Sequence, residues 1–181
     1  MRSVCSIFRR RENSGAAAAE FAMIAPVFML LTFAILETSM VFFANMILDN
    51  AVIDTGRLIR TGQAQTGSMT QADFRNAVCD QVKILLSCDP TNLLIDVRSF
   101  ANFSGSAFPP ALDAAGNLNP NLNAYQPGGS SDATGSSIVL VRVLYKWQLY
   151  TPLFAQYFEN MGKGSGVRLI AFSAAFKNEP Y

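Results

Sequence analysis

Glu20 is the first residue whose position calls for a chemical explanation. It stands in the stretch SGAAAAEFAMIAP, residues 14–26, between four alanines and the start of a long apolar run. An acidic side chain near the centre of a bilayer costs about 2.5–3.5 kcal/mol on insertion scales. We therefore expect Glu20 either to lie at the membrane boundary, where it reaches water, or to have a partner within the membrane.

Cys79 and Cys88 form the second group of residues that could do chemistry. An unbroken helix would hold them about 13.5 Å apart, whereas a disulfide needs Cα atoms within about 7 Å. The bond therefore requires a helix that ends near Leu85 and a chain that turns back. Cys5 lies on the other side of the apolar run and could not join this pair. We predict a disulfide in an oxidising compartment, with two buried thiols as the alternative.

The sequence offers no candidate catalytic or metal site. It has no histidine, which removes the commonest general base and the commonest zinc ligand. The stretch GKGSG at residues 162–166 fits neither the phosphate-loop spacing nor the G-x-S-x-G nucleophile elbow, so a flexible turn is expected there. The acidic residues are scattered singly. We therefore predict no enzyme activity, no metal and no cofactor.

The apolar run after Glu20 predicts a membrane-spanning helix. The sixteen residues FAMIAPVFMLLTFAIL, 21–36, carry no ionisable side chain, and with the flanking alanines they reach the ~20 residues that cross a ~30 Å hydrocarbon layer. A cleaved secretory signal would have a shorter apolar core, about 7–15 residues, and a small-residue cleavage site. A buried core helix is disfavoured because the run has no polar face. We predict a retained signal-anchor.

The charge distribution predicts the orientation of this anchor. Before Gly15, four arginines stand against one glutamate, a local net charge of +3, whereas the whole chain carries only +1. Positive charges before a span keep that side in the cytoplasm. Residues after about 45 are then outside, and the near-neutral total argues against a nucleic-acid-binding surface.

Helical spacing continues beyond the membrane as an amphipathic stem. We expect one helix over residues 16–61, kinked or weakened at Pro26 because proline lacks the backbone donor. Its buried face is predicted from a set of mostly apolar positions that recur at helical spacing. That set is Phe43, Met46, Ile47, Asn50, Ile53 and Leu58.

Residues 62–181 are expected to form a small α+β domain. A break at residues 62–68 precedes a helix that starts at Thr70, with Asp73 placed for a capping box. The runs LLIDVRSF, SIVLVRVLYKWQLY and GVRLIAFSAAF predict an antiparallel sheet of three or four strands that buries the stem. Residues 101–136, rich in Gly, Pro, Asn and Ser, predict a long surface loop with room for a short hairpin.

Four aromatic residues near the second of these runs have two interpretations. Tyr145, Trp147, Tyr150 and Phe154 are first explained as core packing of a strand. The alternative is a docking surface for another subunit, because exposed aromatics on an edge strand invite pairing.

The N-terminal stretches GAAAAEFAMIAPVFMLLTFAILE and ANMILDNAVIDTGRLIRTGQ resemble the signature of the TadE-like proteins of the tight-adherence (Flp, type IVb) pilus apparatus. The signature has a glycine, small residues, Glu-Phe-Ala, an apolar run with an early proline, a late glutamate and a helix that ends in arginine. The corresponding residues are Gly15, Glu20, Phe21, Pro26, Glu37, Arg57 and Arg60. The resemblance covers some 45 residues well, and the remainder more loosely.

The resemblance implies a pilin-like fold and a processing site. In type IVb prepilins a prepilin peptidase cuts on the cytoplasmic side after the glycine, here between Gly15 and Ala16. Residues 1–15 would be the cytoplasmic leader, 16–61 the transmembrane helix and stem, and 62–181 the periplasmic domain. Glu20, together with Phe21, would then act in assembly by pairing with the new amine of a neighbouring subunit. Glu37 would lie at the outer boundary or pair with a partner helix.

The implied function is assembly of Flp pili, and with it adherence and biofilm formation, by a pseudopilin of the bacterial inner membrane. The implied partners are the prepilin peptidase, other pilins or pseudopilins, inner-membrane assembly proteins and membrane lipid, with no nucleic acid. The alternative is a membrane-anchored periplasmic binding module with an uncleaved tether, whose recognition surface would be the Gly/Pro/Asn loop.

Overall fold

The computed structural model describes residues 5–128 and 137–179. Their contacts divide the chain into two compact units, residues 1–39 and 40–181. The elements are α1 (Cys5–Arg60), α2 (Gln63–Thr66), α3 (Gln71–Val82), β1 (Leu93–Phe100), a 3-10 turn (Phe103–Gly105), β2 (Ile138–Gln148), α4 (Pro152–Phe158) and β3 (Val167–Lys177). The described residues thus confirm an α+β architecture with a long N-terminal helix.

The first unit is helical and carries its large apolar side chains on the outside. Phe21 is 71% exposed, and Phe28 and Leu36 are also exposed. In the described part of the chain, the helix over Gly15–Arg60 is the one element long and apolar enough to cross a membrane, and 6% of its most apolar stretch is buried. The core helix of a soluble protein would be mostly buried, so this exposure fits a single-pass membrane anchor.

The second unit is built on a three-stranded antiparallel sheet in the order β1-β2-β3. Val97 of β1 pairs with Val141 of β2, and Val143 of β2 pairs with Phe172 of β3. The sheet follows from the predicted strands, whose β-branched and aromatic residues favour extended backbone. The described residues contain three strands, within the predicted three or four.

One face of the sheet packs against α3 and the last turns of α1. Within the second unit, the buried residues of α1 are Val41, Ala44, Leu48, Ala51, Val52, Thr55, Gly56 and Ile59. The predicted buried face was wrong: Phe43, Met46 and Ile53 are 51–64% exposed. Alanines and a glycine bring the helix backbone close to the sheet, and that close approach, rather than the bulk of the aromatic residues, selects the buried face.

The opposite face of the sheet is covered by the segment between β1 and β2. Leu122 packs there with Leu144 and Leu169 in a second apolar cluster. The same segment also pairs with the outer edge of β1, where Val97 N donates to Ala124 O at 2.8 Å. Residues 101–128 are mostly exposed and irregular, as the sequence predicted, with one antiparallel bridge between Leu112 and Leu118. Leu122 and a few half-buried side chains of this surface segment cover the sheet. The predicted hairpin region extends to residue 136, and residues 129–136 lie outside the described residues.

Helix α3 begins where the sequence signals placed it and ends at Val82, three residues before the end near Leu85 that the disulfide required. The Thr70 hydroxyl accepts from the Asp73 backbone N–H at 3.2 Å, and the Asp73 carboxylate accepts from the Thr70 backbone N–H at 2.9 Å. These two bonds satisfy N-terminal donors that the helix itself leaves free. The Thr70 hydroxyl also donates to Asp73 Oδ2 at 2.6 Å, and this bond, followed by the one from the Thr70 backbone N–H, lowers the pKa of Asp73. Phe74, Val78 and Val82 form the buried face.

Candidate functional site

The residues around the expected processing site lie exposed on α1. The side chains of Glu20 and Phe21 are exposed, and so is the backbone at Gly15. A side chain added at Gly15 would meet nothing within 4 Å. The backbone at Gly15-Ala16 is helical, whereas a protease cleft takes an extended chain. Glycine in a helix costs about 0.5–1 kcal/mol relative to alanine, so this junction is a weak point in α1. Cleavage there would need local unwinding.

Pro26 and Glu37 occupy different environments in the first unit. Helix α1 continues through Pro26, whose missing N–H leaves the Ala22 carbonyl without its usual helical donor. Glu37, by contrast, is 9% exposed and counts among the buried polar residues. The sequence expectation for Glu37, the outer membrane boundary or a partner helix, stays a prediction.

A disulfide joins Cys79 in α3 to Cys88, with Cα atoms 5.7 Å apart. The helix ends at Val82, and one further turn follows, in which Leu86 N donates to Val82 O at 2.9 Å. The chain then folds back and brings Cys88 beside Cys79. The returning segment is fixed to the sheet, because Ser87 N donates to the Tyr145 hydroxyl at 3.0 Å. This is the early helix end and reversal that the spacing of the cysteines required.

The four aromatic residues near the end of β2 divide between core and surface. Tyr145 is buried, and its ring lies 6.5 Å from that of half-buried Trp147. Phe154 stacks on Phe158 within α4, with centroids 4.3 Å apart. Tyr150 is 79% exposed. Core packing therefore explains Tyr145, whereas Tyr150 lies on the surface.

The glycine-rich turn is organised around the carboxylate of Glu159. Gly164 N donates to Glu159 Oε1 at 2.6 Å, and Gly166 N donates to Oε2 at 2.8 Å. Three glycines of the turn adopt positive φ, which brings these amides to one side. The two bonds lower the pKa of Glu159, the one from Gly164 being the larger cause. An amide nest of this kind can bind an anion, and here the chain supplies its own carboxylate.

A buried ion cluster connects β1 and β2 and had no counterpart in the sequence prediction. Asp96 is fully buried; its Oδ2 lies 2.8 Å from Arg142 Nη2 and its Oδ1 lies 2.9 Å from Arg98 Nε. Arg142 also donates to the Pro109 carbonyl, and its guanidinium lies 4.3 Å from the centroid of the Phe108 ring. The cluster thus fixes the covering segment to the sheet. Strand alternation places Asp96 on the face of the sheet away from the main core, where the covering segment buries it.

The described ranges, 5–128 and 137–179, hold no group of three or more side chains suited to bind a metal ion. Among the described groups, Tyr125 is the one with a large pKa shift. Burial raises the pKa of Tyr125 to about 12, and the charge of Asp73 adds to this rise. Its hydroxyl is buried, and its ring lies 5.9 Å from that of Phe74.

Comparison with known proteins gives one match. Residues 15–59 match the family model of the TadE-like proteins. The matched segment begins at Gly15 and covers the exposed apolar helix together with most of the stem. No curated protein and no solved structure matches the chain. The match confirms the resemblance for the N-terminal segment, and a TadE-like segment implies a role connected with the Tad (Flp) pilus system.

Proposed function

We propose, with the TadE-like segment at residues 15–59 as the premise, that this chain is a pseudopilin-like protein of the bacterial inner membrane that takes part in assembling Flp pili. The TadE-like family consists of pilus assembly components rather than enzymes. The N-terminus faces the cytoplasm, and residues 62–181 form a periplasmic domain. Pilins, other pseudopilins and inner-membrane assembly proteins are its partners.

The observation that carries this proposal is an exposed acidic residue at the start of a helix whose large apolar side chains are exposed. Glu20 and the large apolar side chains that follow it up to Leu36 lie on the outside of the first unit, in which Ala34 and Glu37 are the buried residues described. A helix of this kind serves either as an anchor in lipid or as a surface for other helices. A passive anchor has no use for a carboxylate at this position, whereas an assembling helix does.

Processing after Gly15 would give the carboxylate its partner. Cutting the Gly15–Ala16 bond creates an ammonium group on Ala16, and Glu20 lies one helical turn further along. In a membrane, opposite charges on neighbouring helices offset the desolvation cost of each. We propose that Glu20 of one subunit pairs with the Ala16 amine of the next, so that only processed chains join the assembly.

N-terminal sequencing of the protein extracted from membranes tests the processing step. A mature chain that begins AAAAEFAM supports cleavage after Gly15, and the same protein from cells without the prepilin peptidase serves as the control, with its N-terminus at Met1. Uncleaved protein in both strains would rule out processing. It would leave only a role in the membrane platform or as a tether.

The alternative, an anchored periplasmic binding module, is favoured by the size of the packed domain in the second unit. In that case the helix is a tether that any other span could replace. Exchanging residues 17–36 for an unrelated apolar span separates the two functions. A binding module would remain active after the exchange, whereas a pseudopilin would lose piliation although the protein still inserts into the membrane.

A further inference from the structure

Exposed apolar side chains of the second unit concentrate at one end of its sheet. Beyond α1, the described residues contain five large hydrophobic side chains that are more than half exposed. They are Ile84, Phe103, Tyr150, Leu153 and Tyr157. Ile84 lies in the disulfide loop, Tyr150 just before α4, and Leu153 and Tyr157 within α4. The fifth residue, Phe103, follows β1.

The strand register shows that these four residues share an end. Leu93, the first residue of β1, pairs with Tyr145 near the end of β2, and Gln148 pairs with Val167 at the start of β3. The disulfide loop leads into β1, and α4 connects the same ends of β2 and β3. Phe103 follows Phe100 at the opposite end, where β1 pairs with the first residue of β2.

Contacts of α1 within the second unit identify which end this is. The last turn of α1 lies at the Phe103 end of the sheet, because Arg60 forms a 2.8 Å ion pair with Glu179 just after β3. From Arg60 back to Val41, α1 extends about 29 Å at ~1.5 Å per residue, which is close to the length of the strands, and Val41, Leu48 and Ile59 all belong to the core against the sheet. The end with the four exposed side chains is therefore the end at which the chain enters the unit.

The same end presents a lysine beside the aromatic side chains. Tyr157 and Lys163 border a shallow depression of about 380 Å³ together with Gln156 and Glu159. The carboxylate of Glu159 accepts hydrogen bonds from two backbone amides of the glycine turn. Lys163 is exposed at the same depression. Tyrosines with a nearby lysine around aliphatic side chains are the composition of a membrane–water interface.

We propose that this end of the second unit rests on the outer surface of the membrane, with lipid as its partner. Ile84 and Leu153 enter the boundary between headgroups and acyl chains, while Tyr150 and Tyr157 lie at headgroup depth and Lys163 faces lipid phosphates. Continuity with the anchor supports lipid as the occupant: the unit begins at Met40, three residues beyond the first ionisable group after the apolar run, Glu37. The proposal rests on α1 spanning the membrane.

Depth-dependent quenching by brominated lipids tests this placement on the full chain. Trp147 is the single tryptophan, so a Trp147→Phe background allows one reporter at a time. The reporters are Tyr157→Trp at the end in question, Phe103→Trp as the matched control at the opposite end, and Phe28→Trp within the span. Each protein is reconstituted in nanodiscs of phosphatidylethanolamine and phosphatidylglycerol, with bromine either close to the headgroups or deep in the acyl chains.

The expected result is loss of emission from Tyr157→Trp with the shallow label, no loss from Phe103→Trp, and loss from Phe28→Trp with the deep label. No quenching of Tyr157→Trp, or equal quenching of Tyr157→Trp and Phe103→Trp, overturns the proposal while a quenched Phe28→Trp leaves the anchor intact. An unquenched Phe28→Trp overturns the anchor and this inference together. If circular dichroism shows that Tyr157→Trp is unfolded, Ile84→Trp replaces it with the same expected outcomes.

Discussion

Gly56 of α1 lies directly against the ring of Phe176 on β3. A Cβ added at Gly56 would come within 3.1 Å of Phe176 Cε1, and Gly56 itself is buried. This approach sets the distance between the stem and the sheet, and it explains why alanines and a glycine face the core while Phe43 and Met46 face outward. The contact therefore joins the TadE-like helix to the C-terminal domain.

Gly56→Leu should lower the free energy of unfolding by about 1–3 kcal/mol, because extra bulk in a packed interface forces neighbouring groups to shift. Urea unfolding of the detergent-solubilised protein, followed by circular dichroism, measures the change. Asp54→Leu is the matched control, since it adds similar bulk at an exposed position of the same helix. Equal stabilities of the two variants would contradict the contact.

Asp96→Ala should be among the most damaging single substitutions in the domain, with a loss of about 3–5 kcal/mol in unfolding free energy. The change leaves the guanidinium of Arg142 buried without its carboxylate. Asp80→Ala removes the exposed pair with Lys83 and should cost less than about 1 kcal/mol. The double variant Asp96→Leu with Arg142→Met should recover much of the lost stability, because it removes the two most buried charges together, while the less buried Arg98 keeps its bond to the Asn121 carbonyl.

The Cys79–Cys88 disulfide closes a short loop and should contribute about 2–3 kcal/mol by limiting the unfolded chain. Thermal unfolding with and without a reductant measures this contribution. The Cys79→Ser, Cys88→Ser double variant should unfold at the temperature of the reduced protein and show no further response to reductant. Alkylation of both cysteines in the unreduced protein, detected by mass spectrometry, would disprove the bond.

Protonation of Glu159 should destabilise the glycine turn. Its pKa is lowered in the folded protein, so the folded state binds its proton more weakly than the unfolded state does. The free energy that these two bonds add to folding is fully present above the ordinary glutamate pKa of about 4.3. It is lost as the pH falls from there through the lowered pKa of the folded protein. Glu159→Gln should show a shallower decline in melting temperature over that acidic range, whereas Gln156→Ala, an uncharged change in α4, should follow the wild-type profile.

The sequence was sufficient for those elements whose signals are local. The capping box of Thr70 and Asp73 predicted the start of α3, and the alternation of apolar and polar residues predicted β1. The buried face of α1 was predicted wrongly because the number of large apolar side chains on a face says nothing about how closely two backbones approach, which Gly56 decides. Asp96 and Arg142 lie 46 positions apart, and only the pairing register brings them together. A long-range contact of this kind has no local signal in a single sequence.

Glu20→Ala should leave membrane insertion intact and abolish piliation. Removing the carboxylate makes the helix more apolar, so insertion is no harder, while the proposed partner of the Ala16 amine is lost. Cell fractionation and alkaline extraction measure insertion, and electron microscopy counts the pili. Glu20→Asp keeps the charge with a shorter side chain and should retain part of the piliation, as a matched control. Normal pili in cells that carry Glu20→Ala would refute the role assigned to this residue.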